Sequence, residues 1–201
     1  ITPGVMGYYP LKENAVHFFV NPKKNDKIVA GDEIVVQVDK ENLKTKAWFL
    51  TGRLSFPGRY TVLTKGKAGI QVSSKIKDKE ERSRLTEIIS DRPMEGAAWM
   101  IRTEARGQSS EVIREEMDRL LVDYNRIMST ARNRTGFTKL MSGASPYAQL
   151  ITKFAHGSDC RVTTDLSEIY EELKENFERW GLSSEILRYY NDDAYPLIKL
   201  K

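Results

Sequence analysis

The sequence predicts an α+β fold in which short strands give way to helices. Three observations predict it: turn-broken strand patterns over the first fifty residues, a helical apolar stripe between 113 and 128, and mixed strand and helix patterns after 145. With 201 residues, 40% of them hydrophobic, the chain can bury the core of one ordinary domain or of two small ones.

The elements follow in order. VHFFV, EIVVQVDK and KAWFLTGRL read as strands, with NPKKNDK and VAGDE as breaks, which makes the first stretch an all-β module. GRYTVLT and AGIQVSSKI continue the β character around the turn KGKAG; DKEERSRLTEIIS then changes to helical spacing. GAAWMIRT is a further strand, because Ala97 to Ile101 form a compact apolar run before Arg102 and Thr103. A long helix starts near Ser109 or Ser110, and Ile113, Met117, Leu120, Leu121, Tyr124, Ile127 and Met128 recur on one face of it. That stripe is core. Further on, Ser145 caps a helix with Pro146 in its first turn and Gly157 at its end, and CRVTT follows as a strand. Asp165 and Glu168 have the spacing of a capping box ahead of a helix whose apolar face is Leu166, Ile169, Tyr170, Leu173 and Phe177. The final YPLIKLK alternates like a strand separated from its partner, which suggests a truncated chain.

Charge is unevenly spread. Residues 1–77 hold 13 Lys and Arg against 6 Asp and Glu, whereas the remainder holds 19 against 22. A basic first part suits a polyanion partner, since each cation near a phosphate releases counterions; a solvated lysine-rich face would have the same composition. The single cysteine, Cys160, excludes an internal disulfide and lacks companions at zinc-ligand spacing, so a small buried apolar role is expected. No run nears the ~18–20 apolar residues of a membrane span, and the first residues lack a leader pattern, so a cytoplasmic protein is expected. His17 and His156 stand in no catalytic spacing, and Asp159, Asp165, Asp192 and Asp193 read as loop, cap or surface residues.

Gly7-Tyr8-Tyr9-Pro10-Leu11-Lys12, Val36-Gln37-Val38-Asp39-Lys40, and then Lys44, Lys46 and Trp48 interleave aromatic rings with lysines. Rings can stack bases while ammonium groups follow phosphates, although on spacing alone Tyr8 or Trp48 could simply be core aromatics. Longer stretches are more specific. PGRYTVL, IQVSSKIKDKEERSRL and GAAWMIRTEARGQSSEVIREEMDRLL resemble, in order and spacing, the 5′-sensor region of the ribonuclease E/G family. GYYPLKE, GDEIVVQVDKE and KTKAWFLT resemble that family's OB-fold domain from its middle strands onward, and LITKFAHGSDCRVTTDLSEIYEELKENF resembles the RNase H-like segment that follows.

The resemblance implies a partial OB-fold β-barrel over residues 1–52, an α/β 5′-sensor domain over 53–137 and part of an RNase H-like α/β domain over 138–201. It implies that Arg102 and Thr103 hold the 5′ monophosphate of single-stranded RNA, with the backbone of Gly58 and Val62 in the same pocket. Tyr8 matches an RNA-stacking position, and Lys40 and Lys46 match basic positions on the same OB surface. Where relatives carry two adjacent arginines, this chain has Ser74-Lys75; Lys75 is the remaining cation there, and one phosphate contact is lost or passes to Lys77.

The family's early OB strands are expected before Ile1 and its catalytic DNase I-like domain after Lys201. In that later domain two aspartates hold the Mg²⁺ that activates water. The resemblance therefore implies no catalytic residue, metal ligand or cofactor within these residues, with Mg²⁺ and self-association belonging to the intact parent. The cysteine motif that links subunits in some relatives through zinc is missing. The reading is thus an RNA-binding, 5′-sensing fragment of an endoribonuclease of RNA processing and decay. A free-standing OB-fold RNA binder, such as a chaperone, and a protein-interaction scaffold are the alternatives.

Overall fold

The computed structural model describes residues 4, 6–40, 47–91, 96–143, 145, 147, 148, 150, 151, 160–180, 182–192 and 197, with the main chain alone at 40 and 179. Contacts divide the chain into two units, Ile1–Met141 and Ser142–Lys201.

In the first unit, turn-forming residues keep the early strands short. They are β1 (Gly7–Tyr8), β2 (Phe18–Phe19), β3 (Ile34–Val35), β4 (Gln37–Lys40) and β5 (Trp48–Thr51). β2 pairs antiparallel with β3, and a separate sheet has the order β1-β5-β4, parallel between β1 and β5. The register shifts between Val38 and Lys40, so β4 carries an irregularity next to its last residue. β1 escaped the sequence reading because two residues are too few to show alternation. Asn14 pins the turn after β1 to the end of β5. It is 4% exposed, donates to Pro10 O, and accepts from Gly52 N and Thr51 Oγ1.

β6 (Leu54–Pro57), β7 (Thr61–Lys65), β8 (Gly69–Val72) and β9 (Ala97–Ile101) form a four-stranded sheet of order β6-β7-β9-β8. The period of two is explicit on β7, where Thr61, Leu63 and Lys65 are buried between half-exposed neighbours. β8 and β9 are parallel, and α1 (Lys79–Ser90) lies between them in sequence as their crossover. Asp78 caps α1 by accepting from Glu80 N at 3.0 Å. Ser109, the earlier of the two expected starts, caps α2 (Ser110–Arg132) by accepting from Val112 N.

The α2 stripe joins the core as expected: Ile113, Met117, Leu120 and Ile127 are buried, while Leu121, Tyr124 and Met128 are partly buried. They pack with Leu63, Trp99 and Ile101 from the sheet and with Leu85, Ile88 and Ile89 from α1. Complete burial of Leu63 contributes about 1.5–3 kcal/mol. Val35, Phe18 and Val20 join the same cluster, so residues before and after Thr51 share one core.

The second unit is described in part. Ser145 Oγ accepts from Ala148 N at 3.1 Å as a helix cap would, while Pro146, His156, Gly157 and Asp159 lie outside the described residues. β10 (Val162–Thr164), α3 (Ser167–Trp180) and β11 (Leu187–Tyr189) form a βαβ unit whose two strands are parallel. Leu173, Phe177, Trp180 and Leu187 form its core with Ala148.

Two expectations are corrected and one element is new. α3 starts at Ser167, and Leu166 is 56% exposed ahead of it rather than part of its apolar face. Cys160 is half-buried rather than buried. β11 was not anticipated, because LRY is too short to carry a pattern. Apart from Leu197, the YPLIKLK stretch lies outside the described residues.

Candidate nucleic-acid interface

Four of the expected site residues meet where β9 ends. The β7–β9 ladder pairs Val62 with Met100 and Thr61 with Ile101, and Arg102 N then donates to Tyr60 O at 2.8 Å. The Arg102 guanidinium turns toward the β6–β7 turn, where Nη1 donates to Gly58 O at 2.7 Å. Its Nε lies 3.8 Å from the Glu104 carboxylate. The side chain is 35% exposed, so a guanidinium with five N–H donors is both anchored and reachable from solvent.

Thr103 opens a 3-10 turn, Thr103–Ala105, and its hydroxyl lies 3.0 Å from Ser73 Oγ. Ser73 N donates to Ile101 O at 2.9 Å, which sets the turn after β8 beside the end of β9. Lys75, exposed in that turn, donates its N–H to Ser73 Oγ at 3.4 Å. Arg102, Thr103, Gly58 and Lys75 are thus linked through two turns and one strand end, with Val62 on the neighbouring strand. The group sets a guanidinium and a hydroxyl, both able to donate to an anion, on backbone held by hydrogen bonds, with an exposed lysine in the neighbouring turn.

Three charged side chains that the motifs did not single out hold this region. Glu116, 2% exposed on α2, accepts from Arg59 N (2.6 Å), Tyr60 N (2.8 Å), Thr61 N (2.7 Å) and Thr61 Oγ1 (2.9 Å). Arg82 on α1 donates to Ser73 O (2.9 Å) and Ile76 O (3.1 Å). Glu81 accepts from Arg84 and, at 2.8 Å, from Gly107 N in the loop that follows Thr103. Its hydrogen bond with Arg84, seconded by that from Gly107, pulls the Glu81 carboxyl down from 4.5 to about 2. One signal for Glu116 was present in the sequence. It stands three residues after Ile113 and four before Leu120, a polar residue within an apolar stripe.

The second group of expected residues lies on the three-stranded sheet. Tyr8 is 57% exposed, which removes the core-aromatic reading, and its ring is 5.5 Å from that of Phe49. Phe49 pairs in register with Tyr8 on one side and Lys40 on the other, so Tyr8 and Lys40 flank one residue across the sheet. Lys44 and Lys46 lie outside the described residues. His17 accepts or donates to Tyr9 Oη at 2.9 Å, a packing role for its ring. Among the described residues, no group of three or more His, Cys, Asp or Glu side chains could hold a metal ion, and no helix is long and apolar enough to cross a membrane.

Residues 55–200 match the Ribonuclease E/G family, and the chain belongs to that family. It is 31% identical over 150 residues to Ribonuclease E of Nostoc sp. (strain PCC 7120 / SAG 25.82 / UTEX 2576), a match covering 74% of this chain and 22% of the relative. Ribonuclease G of Salmonella typhimurium (strain SL1344) is 30% identical over 146 residues, covering 72% and 30%. Ribonuclease E of Haemophilus influenzae (strain ATCC 51907 / DSM 11121 / KW20 / Rd) is 26% identical over 180 residues, covering 86% and 19%. The chain therefore spans between about a fifth and a third of the length of these relatives.

Proposed function

We propose that this chain is the RNA-holding and 5′-end-reading part of a single-strand-specific, cytoplasmic endoribonuclease of RNA processing and decay. Arg102 and Thr103 grip a terminal 5′ monophosphate, Gly58 and Val62 supply its backbone wall, and Lys75 adds a cation. Tyr8, Lys40 and Lys46 hold the following single strand on an OB-type surface. Hydrolysis of the phosphodiester, with Mg²⁺ as its cofactor, is assigned to residues outside this chain, as is any self-association of the whole enzyme.

The observation that carries the reading is the anchored guanidinium of Arg102, donating to Gly58 O at 2.7 Å while remaining 35% exposed beside Thr103. A monophosphate offers oxygens to match these donors; a 5′ hydroxyl leaves them without an anion, and a triphosphate adds bulk and charge. Affinities for one short RNA carrying each of the three end groups, measured at one salt concentration, test it. The monophosphate is expected to bind most tightly. Equal binding of all three ends would overturn the assignment.

A further inference from the structure

The β6–β7 hairpin has an unusual closing pattern. In an ordinary four-residue turn the carbonyl of the first residue accepts from the N–H of the fourth. Across Gly58–Thr61 the turn is closed from the other side, Gly58 N donating to Thr61 O at 2.8 Å, and the bond from Thr61 N to Gly58 O is replaced. Thr61 N donates to Glu116 Oε1 at 2.7 Å, and Gly58 O instead receives Arg102 Nη1 at 2.7 Å. Glu116 also takes the N–H groups of Arg59 and Tyr60, so three successive main-chain donors converge on one buried carboxylate. A nest of this kind favours an anion, and here the protein supplies it from α2.

Gly58 fits the same arrangement. A Cβ built on it would lie 2.6 Å from both Cδ and Oε1 of Glu116, closer than real Cβ contacts come. The missing side chain at position 58 makes room for the Glu116 carboxylate. This adds a second reason for glycine to the close approach of a ligand.

From this geometry we infer that Glu116 is a positioning residue for the 5′-phosphate pocket: by drawing Thr61 N–H away from Gly58 O, it leaves that carbonyl to orient Arg102. The inference rests on the sensor reading of Arg102 and adds to it a residue that touches no RNA. Glu116 acts through the turn, and the turn acts through one carbonyl.

Glu116→Leu fills a similar volume and offers no acceptor to Arg59, Tyr60 or Thr61, whereas a glutamine would keep an oxygen where Oε1 takes the Tyr60 and Thr61 N–H groups. Two measurements on the whole chain follow. Amide hydrogen exchange, read without RNA, is expected to show faster exchange at Arg59, Tyr60 and Thr61 in the variant, with Leu63 unchanged. Binding is then compared for 5′-monophosphate and 5′-hydroxyl versions of one RNA, in wild type, Glu116→Leu, Arg102→Ala and the double variant. The monophosphate preference is expected to fall about tenfold in Glu116→Leu while affinity for the hydroxyl RNA stays within about twofold, the scale of one charge-assisted contact. In the Arg102→Ala background, Glu116→Leu should change the preference no further, because both substitutions remove the same contact.

The outcomes separate the two ideas. If wild type shows no monophosphate preference, the sensor reading fails and this inference fails with it. If the preference is present and lost in Arg102→Ala but intact in Glu116→Leu, only the role of Glu116 is overturned. A Glu116→Leu variant that weakens both RNAs equally, or lowers the preference further without Arg102, overturns it as well.

Discussion

The two candidate contact regions of the first unit are built differently. At the end of the four-stranded sheet, Glu116, Arg82 and Glu81 each reach from a helix to hold a separate turn around Arg102 and Thr103. On the three-stranded sheet, Tyr8 stands 57% exposed on a two-residue strand, beside the Phe49 ring. A surface that must distinguish one end group from another needs donors fixed before the ligand arrives, because ordering them on binding consumes affinity. A surface that follows any single strand needs only a ring face and nearby charge. Under the proposed function, discrimination falls to the first region and general affinity to the second.

Stability should separate the regions most widely. Glu116→Ala leaves three main-chain N–H groups and the Thr61 hydroxyl without their acceptor, and is expected to destabilise the chain by about 3–5 kcal/mol in urea unfolding. Tyr8→Ala, at an exposed position, should stay within about 0.5 kcal/mol of wild type. Comparable losses in both variants would erase the contrast.

Binding should then divide them by kind. Arg102→Ala is expected to remove about 1.5–3 kcal/mol of monophosphate affinity and leave 5′-hydroxyl RNA nearly unaffected. Thr103→Val should act in the same direction with a smaller loss, since a neutral hydroxyl contributes roughly half of a charge-assisted contact. Tyr8→Ala should cost on the order of 1–3 kcal/mol for both RNAs alike, through a lost base stack. An end-group dependence in Tyr8→Ala, or none in Arg102→Ala, would reverse the assignment of the two regions.

The sequence revealed these regions to different depths for physical reasons. The α2 stripe was legible because a long amphipathic helix repeats its signal over several turns, and GAAWMIRT because five apolar residues end sharply at Arg102. Two-residue strands such as β1 carry no period, so the parallel β1–β5 pairing could come only from three dimensions. Arg102, Thr103, Gly58 and Val62 came from resemblance rather than spacing. Glu116, Arg82 and Glu81 contact backbone groups of turns up to 57 residues away, and no local pattern announces such a bond. Glu116 alone left a trace, as a carboxylate on an otherwise apolar face.

The smallest expected effect asks whether the clamp on the loop after Thr103 is electrostatic. Glu81 joins Arg84 to Gly107 N, and its carboxyl is pulled from 4.5 to about 2 in the folded chain. A carboxyl whose pKa is lower folded than unfolded stabilises the fold above its unfolded value and loses that contribution as pH falls through its folded one. The Glu81 contribution should therefore be complete at pH 7, decline below about 4.5 and be gone near 2. Glu81→Gln cannot ionise and should show no such decline from this position. At pH 7 the variant is expected to be less stable by no more than about 1 kcal/mol, the scale of a solvent-screened ion pair. The gap between wild type and variant should close as unfolding is repeated toward pH 2. Glu116→Gln offers the contrast, since its main-chain nest should make its cost at pH 7 the larger of the two. A Glu81→Gln gap that stays constant from pH 7 to 2 would mean that the loop is held by packing and hydrogen bonds that the amide preserves, not by the charge.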